Sequence, residues 1–102
     1  MNVIEIEIDR ELSNYIESLS YETNARKNLI AFCFSKEIDL DNKIFKKYHD
    51  EYIHFNTSFE LAKLQLEDTY VKPNYPNAKW HLNFNTNILT ITPVNINEVN
   101  NA

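Results

Sequence analysis

FKKYHDEYIHFNTSFELAKLQL, residues 45–66, decides the architecture of this chain. Phe45, Tyr48, Tyr52, Phe55, Phe59, Ala62 and Leu66 recur at steps of three and four, the spacing that lines one side of an α-helix. Alternation this strict specifies a long helix with an aromatic seam, running from Asp41 to about Val71. Just before it, the segment IDLD offers Asp41 as the helix N-cap and Leu40 as a hydrophobic staple. Further back, Leu12, Ile16, Leu19, Thr23, Arg26, Ile30 and Cys33 follow the same spacing, so a first helix is expected from Arg10 to about Lys36, capped by Asp9. A link this short makes the two helices antiparallel neighbours. Residues equidistant from it should then meet: Cys33 with Phe45, Ile30 with Tyr48, Arg26 with Tyr52, Thr23 with Phe55 and Leu19 with Phe59.

Outside the hairpin the period changes. Ile4, Ile6 and Ile8 alternate with Glu5 and Glu7, the pattern of a strand with one buried face. Pro73 and Pro76 end the second helix, because proline lacks a backbone donor and restricts the residue before it. Trp80, Leu82 and Phe84 then alternate with polar residues, Asn85 to Asn87 mark a turn, and Leu89 and Ile91 resume the alternation. An isolated hairpin is marginal in water, so the N-terminal strand is expected to complete a three-stranded antiparallel sheet. The expected fold is α+β in the order β-α-α-β-β, a single domain over residues 1–93, with residues 94–102 as a loose Asn-rich tail.

Composition excludes several chemistries. The 102 residues contain no glycine, although average usage near 7% predicts about seven. Walker loops, dinucleotide fingerprints and nucleophile elbows all need backbone that approaches a ligand closely or adopts positive φ. Asparagine, the next most tolerant residue in left-handed conformations, must serve the turns. The net charge of -5 with scattered basic residues argues against direct nucleic-acid binding, which needs clustered Lys and Arg. With Cys33 as the only cysteine, no intrachain disulfide can form, which fits a reducing compartment. The acidic, alternating start does not resemble a signal peptide, and the longest wholly apolar run is Leu29 to Phe34. Synthesis in the cytoplasm, without membrane association, is the expectation.

Both helices carry more apolar residues than one seam needs. Opposite the first seam lie Tyr21, Ala25 and Phe32, with Leu29 to one side; opposite the second lie Ile53, Leu61, Leu64 and Val71. Contiguous outward apolar surface of this kind marks interaction sites. The competing reading is that the helices splay and the sheet covers these lines. A partner interface through Tyr21, Ala25, Phe32, Ile53, Leu61 and Leu64 is the expectation preferred over it.

Candidate chemistry is sparse. Arg26 falls in the buried line of the first helix, one turn after Glu22, and is expected to form an ion pair there and stack on Tyr52; a ligand carboxylate or phosphate is its alternative role. Glu51 and His54 match the Glu-x-x-His pair of di-iron helical bundles, and Glu22 could add a third ligand. His54 lies off the aromatic seam, however, so no metal is expected. Asp50 and His54 share a face without a nucleophile beside them. Cys33, inside an apolar run, reads as a small hydrophobe. Trp80 reads as an anchor for the sheet.

YETNARKNLIAF, KKYHDEYIHFNTSFELAK and the closing WHLNFNT together resemble small proteins encoded by phages and prophages of low-GC bacteria, built on a helical hairpin with a terminal Trp-containing strand pair. The layout is also similar to that of small accessory proteins of peptide-modification clusters. The resemblance spans Tyr21 to about Ile91 and carries packing positions, no catalytic residue. It implies an assembly role and, with it, incorporation into a virion. The expected function is therefore a non-enzymatic interaction module, without cofactor, that binds another protein or itself. The alternatives are an acidic inhibitor or regulator of a nucleic-acid enzyme, or an accessory protein of a peptide-modification system.

Overall fold

A computed structural model describes residues 3–93; the expected tail, residues 94–102, lies outside the described residues. The elements are β1 (Ile4–Glu7), α1 (Arg10–Ser35), α2 (Lys43–Leu66), a π-helical turn (Glu67–Val71), β2 (Lys79–Asn83) and β3 (Ile88–Thr92). The class is α+β and the order β-α-α-β-β. The chain forms two compact units, one built from residues 3–14 and 63–93 among those described, the other from Tyr15–Ala62. Their borders fall inside α1 and α2.

In the first unit the sheet order is β1-β3-β2, both pairings antiparallel. The last strand thus takes the centre. Ile4 and Trp80 flank Ile91, and Ile6 and Leu82 flank Leu89, so the apolar alternation of three separate segments falls on one face. Leu89 and Ile91 are fully buried, each contributing about 1.5–3 kcal/mol by leaving water. The opposite face carries Glu5, Thr90 and His81 in one row and Glu7, Ile88 and Asn83 in the next.

Asparagine closes this sheet where glycine would be usual. Asn83 Oδ1 accepts the amides of Asn85 (2.9 Å) and Thr86 (3.2 Å), and Asn87 enters the left-handed region at φ 64°. Its amide then donates to the Asn83 carbonyl at 2.8 Å. Phe84 therefore belongs to a four-residue turn, residues 84–87, rather than to the strand where alternation put it. The Asn83 side chain starts the turn one residue earlier than the Asn85–Asn87 cluster suggests. Buried Asn87 also donates its side-chain amide to the Ile8 carbonyl, while the Ile8 amide donates to the Asn87 carbonyl at 3.1 Å.

The second helix changes geometry at its end. The Lys72 amide donates to the Glu67 carbonyl at 2.8 Å, a five-residue span that holds one more residue than an α-turn. On a regular helix Val71 would share the outward line of Ile53 and Leu64; the wider turn rotates it, and it is buried. Val71 is thus core, correcting its place among the outward residues. The same turn holds Glu67, whose carboxylate accepts the Trp80 indole N–H at 2.7 Å, and Tyr70, whose hydroxyl accepts the Asp9 amide at 3.2 Å. Trp80 anchors β2 as expected, through a hydrogen bond that its indole requires when half-buried.

In the second unit, α1 and α2 form the expected helical hairpin. Ile16, Leu19, Thr23 and Cys33 of α1 and Phe45 and Ala62 of α2 are buried, all seam positions. Asp9, which with Leu12 belongs to the first unit, caps α1 through the Leu12 amide, at 3.4 Å. At the other end Glu37 adopts φ 55°, its amide donating to Phe34 and that of Ile38 to Cys33, both at 3.0 Å. These two bonds make a Schellman closure, usually reserved for glycine. The cap of α2 is Asn42, whose Oδ1 accepts the Ile44 amide at 2.8 Å, and not Asp41. Asp41 is drawn into the loop by its own amide, which donates to Asp39 Oδ1 at 3.1 Å. With the helix start moved along, Leu40 no longer precedes the cap and is exposed.

Candidate interaction surface

The seam side of the hairpin holds a polar network centred on Arg26. Arg26 donates through Nε to Glu51 Oε1 at 3.0 Å and also pairs with Glu22, one turn earlier. Its guanidinium lies 4.8 Å from the Phe55 ring centroid, so Phe55, not Tyr52, supplies the aromatic face. Arg26 reaches two α2 residues one turn apart, Glu51 and Phe55, and so fixes how far one helix slides along the other. The Glu51 hydrogen bond raises the guanidinium pKa above its ordinary value; burial opposes this and Glu22 reinforces it.

This arrangement bears on the Glu22, Glu51 and His54 constellation. Glu22 and Glu51 do converge, but the cation between them is Arg26. His54 stands edge-on to Phe55 at 5.3 Å. No group of three potential metal ligands occurs among the described residues. Asp50 is strongly exposed, with His49 Nδ1 3.9 Å away, and His49 stacks on Phe45. Cys33 is a buried free thiol. No nucleophile, base and orienter converge among these residues.

The outward faces are different. Tyr21 is 70% exposed, Phe32 55%, Ile53 49% and Leu61 61%, while Ala25 is half-buried. These five belong to the hairpin unit; Leu64, 48% exposed, falls in the sheet-containing unit. Within the hairpin each helix turns one apolar line inward and another outward. Tyr15, Phe34, Leu40 and Ile44 are exposed as well, and periodicity passed over them. Phe34 and Ile44 each adjoin a buried seam residue, Cys33 and Phe45, within a turn of the link. Proximity to the link is the signal that could have found them. Phe34 is held edge-on to buried Phe45 at 5.5 Å, so its ring has a fixed position although most of it faces outward.

No helix among the described residues is long and apolar enough to cross a membrane. No family model, curated protein or solved structure matches the chain.

Proposed function

We propose that this chain is a non-enzymatic protein–protein interaction module whose contact surface is the outward apolar faces of its helical hairpin. The observation that carries this reading is the exposure of Tyr21, Phe32, Ile53 and Leu61 on helices whose inward seams are buried at Ile16, Leu19, Cys33, Phe45 and Ala62 and half-buried between them. Single exposed apolar residues are ordinary; large ones repeated along the outer line of a helix are the material of interfaces. The acidic-inhibitor alternative draws less support. Glu22 and Glu51 are engaged by Arg26, and Glu67 and Asp68 by Lys72. The resemblance to phage-encoded hairpin proteins makes an assembly component the setting we favour.

Photo-crosslinking in the native host tests the reading. A photoreactive residue at Phe32 or Leu61 should yield discrete protein adducts, with the same residue at Asn14 as the control. Adducts to any protein, including a second copy, support an interaction surface. No adduct from either site, in protein that folds, would remove it.

A further inference from the structure

The outward line of α1 has a pattern that the proposed interface does not by itself require. Glu17, Tyr21, Ala25, Asn28, Phe32 and Lys36 follow one another at intervals of four, four, three, four and four residues. At about 100° per residue they stay within one stripe; Lys36 lies one residue past the end of α1 and still donates its amide to the Phe32 carbonyl at 3.1 Å. All are exposed except half-buried Ala25. The intervals read the same from either end, and the residue types are complementary about the centre: acid against base, aromatic against aromatic, small against polar.

A line of this kind fits a copy of itself only when reversed. In an antiparallel pair related by a two-fold axis, every contact occurs twice, and residue i meeting j requires j to meet i. Centred between Ala25 and Asn28, such a pair sets Glu17 beside Lys36, Tyr21 beside Phe32 and Ala25 beside Asn28 of the second copy, and then repeats each contact. The parallel alternative would oppose Glu17 to Glu17 and Lys36 to Lys36. Like charges so placed are repulsive, and charge pattern is what sets orientation and register at an interface. Lys36 Nζ already lies 5.8 Å from the Phe32 ring centroid, holding the positive end of the line beside its aromatic residue.

We infer that the partner recognised by this face is a second copy of the chain, docked antiparallel on α1 through the line from Glu17 to Lys36. The inference rests on the interaction-module reading and narrows it to one occupant. The line is about 28 Å long at the helical rise but only one helix wide. That is less than the roughly 800 Å² per partner of a standard interface, so the pair belongs to the weak, exchanging class and responds to concentration.

Sedimentation velocity over a series from about 10 µM to about 1 mM, the range of weak complexes, reads this directly. The expected result for the unaltered chain is a shift from monomer to dimer. Glu17→Lys gives a line with lysine at both ends, and Lys36→Glu a line with glutamate at both ends. Each alone should dimerise roughly tenfold more weakly, because two charge pairs become repulsive. Mixed in equal amounts, they should pair with the original affinity, since both contacts between unlike lines are then attractive. Both positions are exposed, so circular dichroism should show unchanged folding. A monomer throughout the series overturns self-pairing, while crosslinks from Phe32 to another protein would leave the broader interaction reading standing. A dimer that neither charge reversal weakens, or that mixing fails to restore, also overturns the assigned line.

Discussion

Among the described residues of this glycine-free chain, Glu37 is the one residue other than asparagine held at positive φ. It holds φ 55° to close α1, a conformation that an L-residue with a Cβ adopts at a penalty of about 1–2 kcal/mol. Asn77 and Asn87, at φ 67° and 64°, are penalised less, because asparagine tolerates this region. Glu37 is exposed, and its side chain makes no hydrogen bond or ion pair among the described residues that would offset the strain. Glu37→Gly is therefore expected to stabilise the protein by about 1 kcal/mol, the lost strain outweighing glycine's larger unfolded-state entropy. Urea unfolding midpoints of the two proteins measure it. That asparagine would serve the turns was legible from composition; that a glutamate would share the task was not. Nothing in its type marks it, and only the placement of the helix end does.

At the level of the element, the helical seams were legible because three-and-four spacing depends only on each helix's own sequence. Their ends were less so. Asp41 and Asn42 are both good caps, and the choice between them turned on a loop hydrogen bond to Asp39. The seam also conceals an imperfect fit. Thr23 is buried in α1, and its hydroxyl has no hydrogen-bond partner among the described residues. An unsatisfied buried polar group costs about 1–3 kcal/mol. Thr23→Val keeps the shape and the β-branch while removing that group, and is expected to raise the unfolding free energy by about 1 kcal/mol in denaturant titration. A loss of stability would reveal that the hydroxyl bonds within the helix. Arg26 was readable as a register residue from its place in the seam, whereas its second carboxylate, Glu51, and its ring, Phe55, came only with the packing of the two helices.

On the scale of the whole molecule, class and element order followed from changes of period along the chain. The sheet order did not, because β1 and β2 both pair with a strand that comes last in sequence, and alternation cannot say which strand takes the middle. The candidate surface was legible as surplus apolar residues; whether the surplus lay inside or outside required the folded chain. That difference has a thermodynamic signature. Core truncations cost about 2–5 kcal/mol, while exposed substitutions usually stay within about 0.5 kcal/mol. Tyr21→Ser, Phe32→Ser and Leu61→Ser, each compared with Leu89→Ala, should divide along that line in denaturant titration at low protein concentration. A core-sized loss at any of the three would return it to the interior.

The π-helical turn also acts as a phase adjustment in the chain. By taking up one residue more than an α-turn between Glu67 and Lys72, it changes the direction in which the segment after it leaves the helix axis. Removing one residue between Glu67 and Val71 would restore regular helix and swing the downstream segment around the axis, taking the Glu67 to Trp80 hydrogen bond with it.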